Sequence, residues 1–387
     1  MKPFETFFGV LLALHHQQVG AVDPRAEIFS KITSGESRYL KATEETTSFN
    51  SGEDFEASAN TTENTTLHKS IHLASIHGIS PFDFSSTRID SSEFQRTQFM
   101  AEDGSLDAAY FLGLFYLYGL ESLSPDIERA EEWFLQAAVG GHTDAQCALG
   151  LLLYHGHGKV KMDRNSATDY FRLASNSGNS YAHWLYGRSL FEAGASASLL
   201  SPFESIKQQM DEAARLFGLV ENKIPEAAHQ LAVMFEYGLV NQGRDDNKIK
   251  FAKAAELYES AAQRGYVEST YHLALMYVYG RGFSQDYARA AELFRVATNQ
   301  PFSHPPSMRY LAVILANGYT NPDGIPDFDA ALQLYEKCSS QSDFTDVKSL
   351  CKEEKESLMK IVDAAKSGNF VSNVHNMTQS NQTFTVE

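Results

Sequence analysis

One phrase of small and apolar residues recurs six times between Ala108 and Gly318. In its first two copies it reads "AAYFLGLFYLYGL" and "AQCALGLLLYHGHG". Each copy carries a small anchor residue after an apolar one, and these anchors are Gly113, Gly150, Gly187, Ala232, Ala274 and Ala312. Successive anchors lie 37, 37, 45, 42 and 38 residues apart. A self-similar period near 40 restricts the chain to an array of stacked supersecondary units, because one such unit cannot bury its own apolar face.

Each copy has a second half with its own pattern. In the first copy Ala130, Trp133, Phe134, Ala137 and Ala138 fall at offsets 0, 3, 4, 7 and 8, the apolar stripe of an amphipathic helix. The same stripe returns at Ala167, Tyr170, Phe171 and Ala174, and at Ala213, Leu216, Phe217 and Val220. It returns again at Ala254, Leu257, Tyr258 and Ala261, at Ala290, Leu293, Phe294 and Ala297, and more weakly at Ala331, Leu334, Tyr335 and Cys338. Gly119, Gly156, Gly238, Gly280 and Gly318 then punctuate the first helices, and Gly141, Gly178 and Gly265 the second. Each unit therefore reads helix, turn, helix, turn. Two insertions, "ASASLLSPFESIKQQ" and "NQGRDDNKIK", are expected to lengthen the inner turns of copies three and four.

The phrases "LGLLLYHGHGKVKMDRNSATDYFRLASNSG" and "LALMYVYGRGFSQDYARAAELFRVA" resemble the Sel-one-like repeat, a relative of the tetratricopeptide repeat. Copies one, two and five match that pattern well, whereas copies three, four and six lack its Gly-x-Gly turn. The resemblance implies an all-α fold, a right-handed α-solenoid of about six helix-turn-helix units over residues 107–340. It also implies a scaffold role, with a protein or peptide partner held in a concave groove. A start that looks like a signal peptide adds a likeness to the repeat-bearing luminal adaptors of the endoplasmic-reticulum-associated degradation ubiquitin ligases. That likeness places the chain in protein quality control. The other scaffold reading is a secreted or cytosolic protein that assembles signalling complexes.

Composition narrows the function classes. The formal net charge is −17, which opposes nucleic-acid binding, since that needs a basic face to displace phosphate counterions. Beyond the N-terminus no run approaches the roughly 20 apolar residues that span a bilayer.

At the N-terminus Lys2 precedes the apolar run Phe7–Leu14, and Val19 and Ala21 supply small residues at a cleavage position. This predicts a signal peptide over residues 1–21; the alternative is a terminal apolar helix kept by a cytosolic protein. Residues 22–106 are expected to be a flexible N-terminal region, with an acidic polar stretch over 41–66 and room for two short helices after it. Residues 341–366 are expected to form a capping helix and 367–387 a disordered tail. Four N-x-[ST] acceptors, Asn60, Asn64, Asn376 and Asn381, fall in these flanks and are glycosylation candidates. Of three cysteines, Cys147 fills an apolar repeat slot, while Cys338 and Cys351 could bridge in an oxidising compartment or stay as thiols.

The motifs that suggest chemistry are absorbed by the repeat. "HGHGKVK" offers His155 and His157 as a metal pair, but lacks a third ligand nearby, and Gly156 and Gly158 match the turn at Gly280 and Gly282. His68, His72 and His77 read as surface or packing residues. G-x-S-x-G, H-E-x-x-H and C-x-x-C do not occur. The sequence therefore assigns no catalytic, cofactor or metal residue and expects a non-enzymatic scaffold, with an uncharacterised hydrolase as the reading from another class. Trp184, Tyr186, Tyr118, Tyr237 and Tyr279 are either partner anchors or inter-repeat core.

Overall fold

The computed structural model describes residues 91–119, 124–156, 159–195, 203–240, 247–299, 303–341 and 345–366. The leader over 1–21, the four glycan acceptors, His157 and the tail from 367 lie outside these residues.

Fourteen α-helices and no strand occur among the described residues. They are α1 Ser91–Glu102, α2 Leu106–Tyr118, α3 Ile127–Val139, α4 Thr143–His155, α5 Arg164–Asn176, α6 Ser180–Ala195, α7 Phe203–Val220 and α8 Pro225–Glu236. The remainder are α9 Asn247–Gln263, α10 Val267–Tyr279, α11 Tyr287–Thr298, α12 Pro305–Ala316, α13 Phe328–Ser340 and α14 Thr345–Lys366. They form two compact units, α1–α8 and α9–α14. Within each unit every helix packs on the next in sequence, and in the second α14 also reaches α12. Nearest-neighbour stacking of this kind is the all-α repeat fold.

The chain specifies its helix ends locally. The second helices start at Asp126, Asp163, Asp286 and Asp327, each accepting a hydrogen bond from a backbone N–H in the first turn. The first helices use different caps: Ser105, His142, Asn179 and His304 accept from Ala108, Ala145, Ala182 and Ser307. At the far end of α2, Gly119 takes φ 63°, ψ 57°, and its N–H donates to the Phe115 carbonyl at 3.0 Å. Any side chain there would meet Pro125.

The repeat anchor explains itself in packing. A Cβ on Gly113 would lie 2.6 Å from the Phe134 ring, on Gly150 2.5 Å from Phe171, and on Gly187 2.8 Å from Phe217. In each case the aromatic ring of the second helix lies against the bare backbone of the first. Phe134, Phe171, Phe217 and Phe294 are all essentially fully buried. Burying such a ring contributes about 1.5–3 kcal/mol, more than the roughly 0.5–1 kcal/mol that a helical glycine costs. Ala232, Ala274 and Ala312 hold the anchor position in later copies and are 0% exposed.

The two insertions depart from the expectation of plain loops. Phe203–Gln209 and Asn247–Lys250 are helical and lengthen α7 and α9 to 18 and 17 residues. In α7 the residue after the extension, Met210, is buried against Gly194, where a Cβ would sit 2.6 Å from its Cε. Gly194 therefore lies inside α6 rather than ending it, and close helix contact accounts for the glycine.

Candidate functional site

Partly exposed aromatic and charged residues occur on both helices of the repeats. In the first unit these converge on Tyr154 of α4. The Arg164 guanidinium, from the start of α5, lies 5.2 Å from its ring centroid, and the Arg188 guanidinium, from α6, lies 5.7 Å away. Arg188 also sits 5.7 Å from the Trp184 ring, and its Nε donates to Glu192 Oε1 at 2.9 Å. The Tyr154 hydroxyl donates to the same Glu192 carboxylate. Burial pushes the Tyr154 phenol well above its ordinary range, so it stays a neutral donor. Trp184, Arg188 and Glu192 are half-buried. The cluster thus presents an indole, a guanidinium and a carboxylate from α6, set against Tyr154 of α4 and Arg164 of α5.

A second arrangement follows the starts of the first helices. Asp107 Oδ1 faces His142 Nε2 at 3.3 Å, and one repeat later Asn179 Nδ2 donates to Asp144 Oδ1 at 3.1 Å. Tyr110 stacks on the His142 ring at 4.8 Å. Burial pulls the His142 imidazole down and raises the Asp144 carboxyl to about 6. Each is the direction in which desolvation disfavours charge.

The second unit repeats the tyrosine–histidine contact. Tyr271 packs edge-on to His304 at 5.1 Å, and His304, fully buried, is pulled down to about 3. Tyr271 also meets Tyr310 at 5.9 Å, whose hydroxyl lies 3.4 Å from that of Tyr279. Arg281 lies over Tyr279 and Arg309 over Tyr310. Arg309 in turn pairs with Glu354 of α14, Nε to Oε1 at 3.0 Å, with both side chains nearly buried. Cys338 of α13 and Cys351 of α14 are joined by a disulfide.

Trp184, Tyr186, Tyr118, Tyr237 and Tyr279 are all half-buried, between the two roles open to them in the sequence. Cys147 is a buried free cysteine whose thiol is pushed up by burial, which removes nucleophilic character. Gly156, at φ 67°, closes the α4 turn with its N–H on the Leu152 carbonyl, and Gly280 closes α10 on Met276 in the same way. Among the described residues no group of three or more His, Cys, Asp or Glu could hold a metal, and no helix is long and apolar enough to cross a membrane. The Tyr154–Arg188 and Arg309–Glu354 contacts were not legible in the sequence, because their partners lie 34 and 45 residues apart on different helices, whereas the spacing of four between Arg188 and both Trp184 and Glu192 was there to be read.

The Sel1 repeat model matches the chain over residues 106–142, 143–179, 225–266, 267–301 and 305–343. The unmatched stretch between residues 179 and 225 holds α6 and α7, the third copy, which repeats the glycine–ring contact as Gly187 against Phe217. Among solved structures, a protective antigen of uropathogenic Escherichia coli strains with an SLR fold is 27% identical with a TM-score of 0.53. That match covers 71% of this chain, which spans about half (54%) of the antigen's length. A Sel1 repeat protein from Oxalobacter formigenes is 21% identical with a TM-score of 0.49, over 65% of this chain and 93% of that one. No curated protein matches the chain.

Proposed function

The helical middle of this chain belongs to the Sel1-repeat family, whose members generally act as protein-interaction scaffolds, and we propose that it is a non-enzymatic adaptor. Its partner is a protein or peptide held along the first helices of the repeats. The observation that carries this reading is the Tyr154–Trp184–Arg188–Glu192 cluster. Tryptophan, tyrosine and arginine dominate the energetics of protein interfaces, and here Trp184 and Arg188 sit half-buried on α6, held in place over the buried Tyr154. The apolar repeat positions, by contrast, are used in packing helix on helix.

The experiment is partner capture by the full chain with site-resolved crosslinking, in the parent and in the Trp184→Ala and Arg188→Glu variants. The expected result is crosslinks next to α4 and α6 in the parent and their loss in both variants, with an unchanged melting temperature. Crosslinks that survive both substitutions would overturn the assignment of this surface.

The finer reading is work in the secretory pathway, in protein quality control of the endoplasmic reticulum. The Phe7–Leu14 run and the sequons at Asn60, Asn64, Asn376 and Asn381 support it. So does the disulfide between α13 and α14, since such bonds persist where thiols are oxidised. Expression in a eukaryotic secretory host should remove residues up to about Ala21. It should also give a glycosidase-sensitive gel shift. An intact N-terminus with no shift would leave a cytosolic scaffold.

A further inference from the structure

The turn between α4 and α5 runs against the charge of the chain. Asp and Glu outnumber Lys and Arg by 49 to 32 over the whole sequence. The corresponding turn of the first repeat, residues 118–127, holds Glu121 and Asp126 and no Lys or Arg. That of the sixth, residues 317–328, holds Asp323 and Asp327 and again no Lys or Arg. The turn of the second repeat, "HGHGKVKMDR" over 155–164, sets Lys159, Lys161 and Arg164 against the single acid Asp163.

The backbone puts Arg164 where other repeats place apolar side chains. The N–H of Asp163 donates to the Leu153 carbonyl at 2.8 Å, as Asp126 does to Tyr116, Asp286 to Tyr277 and Asp327 to Leu315. The residue after that aspartate is Ile127, Tyr287 or Phe328 in three repeats, each half-buried. In the second repeat it is Arg164, which is exposed and lies over the Tyr154 ring. The neighbouring Asp163 carboxylate is engaged at its own helix start, where it accepts from the N–H groups of Asn165 and Ser166 and from the Ser166 hydroxyl.

Other cations of this unit already have carboxylates. Arg129, Arg172 and Arg215 pair with Asp126, Asp169 and Glu212, and Lys159 pairs with Glu128. Arg188, 5.7 Å from the Tyr154 ring, has Glu192, which also takes the Tyr154 hydroxyl. Lys161 and Arg164 are exposed and form no ion pair among the described residues. The site around Tyr154 and Trp184 therefore carries more cation than carboxylate, in a chain of the opposite sign.

We propose that the segment docked at this site is an acidic peptide, with Asp or Glu side chains on Arg164 and Lys161 beside an apolar side chain on Trp184. The proposal rests on the adaptor reading above and adds the chemistry of the partner. Arg164 takes a carboxylate without giving up an existing one, whereas Arg129, Arg172 and Arg215 would have to exchange theirs. Charge complementarity of this kind acts on specificity more than on raw affinity. Exposed ion pairs are individually weak, so two of them shift affinity by roughly five- to tenfold.

Fluorescence anisotropy on the full chain, with three labelled peptides, tests the assignment. All three share a central Leu-Trp pair, flanked by glutamate, by glutamine or by lysine. The glutamate peptide should bind roughly five- to tenfold more tightly than the glutamine peptide, and the lysine peptide more weakly than either. Arg164→Glu with Lys161→Glu should erase that preference at an unchanged melting temperature, and Arg164→Gln should lose part of it. Lys223→Glu, on an exposed lysine after α7, should leave it intact. Equal binding of the glutamate and glutamine peptides, a preference that survives the double reversal, or no binding of the glutamate peptide would overturn the proposal. Trp184→Ala separates this proposal from the adaptor reading: if that variant weakens all three peptides and the parent shows no glutamate preference, the docking surface stands and its acidic partner is rejected. A short single-stranded DNA that binds through Arg164 more tightly than the glutamate peptide would reassign the basic turn to phosphates and overturn the proposal as well.

Discussion

The ring of Phe171 lies so close to the backbone of Gly150 that a β-carbon there would sit 2.5 Å from its Cε1. The same relation joins Gly113 to Phe134 and Gly187 to Phe217, and it fixes how closely the two helices of a repeat approach.

Substituting Gly150 by alanine should therefore destabilise the protein, although alanine is the better helix former. The added methyl overpacks a fully buried ring, which costs about 1–3 kcal/mol, against roughly 0.5–1 kcal/mol gained in helix propensity. Urea unfolding should show a lower midpoint for Gly150→Ala. Ala274→Gly, made where a β-carbon is already accommodated, should lose only about 1 kcal/mol. Equal or greater stability of Gly150→Ala would remove the steric reading of the anchor.

The Arg309–Glu354 pair holds α14 against α12 with both side chains nearly buried. Removing one partner strands a charge, so Glu354→Ala should cost about 3–5 kcal/mol. The double variant Arg309→Met, Glu354→Leu should recover most of that loss. A thermal melt of the three proteins checks the order, and a double variant as unstable as the single would show that packing rather than stranded charge sets the cost.

The Cys338–Cys351 bridge closes a short loop between α13 and α14 across a sequence separation of 13. Loop-closure entropy predicts a loss of about 3 kcal/mol when both cysteines are replaced by alanine. The loss should fall on the α9–α14 unit. Calorimetry with and without reductant should move the transition of that unit and leave α1–α8 unchanged. Coincident shifts of both units would contradict a local staple.

Acid should weaken the fold through its histidine caps. His142 and His304 accept backbone N–H bonds through Nδ1, which requires that atom to be unprotonated. Both imidazoles are pulled down by burial, His304 to about 3. The unfolded chain then binds more protons between pH 6.5 and about 3, so stability falls as pH drops through that window. Asp144, raised to about 6, runs the other way: it adds stability as pH falls from about 6 towards 3.8. His304→Asn keeps a capping side chain and removes the titration, so it should flatten the slope of unfolding free energy between pH 7 and 5. An unchanged slope would mean that other groups carry the acid sensitivity.

The repeat register was legible in the sequence because it depends on short-range chemistry: a small residue, a stripe at 3.6-residue spacing and a glycine that tolerates positive φ. Gly113, Phe134 and Gly119 illustrate all three within 22 residues. The Tyr154–Arg188 and Arg309–Glu354 contacts were not legible, because they depend on how separate helices align. The histidine caps were hidden for another reason. His142 and His304 stand where aspartate or serine would signal a cap, and their contacts with Tyr110 and Tyr271 are a property of the packed repeat. The lengthening of α7 and α9 was missed because polar insertions such as "NQGRDDNKIK" carry no apolar stripe of their own until they join an existing helix.

The adaptor reading is tested most directly by the hydrogen-exchange footprint of a captured partner on the full chain. The account predicts slowed exchange in the first helices that carry Tyr154, Trp184 and Arg188, with no change around the exposed Leu173 and Leu219 of the second helices. A footprint confined to the second helices, with α4 and α6 unaltered, would contradict it.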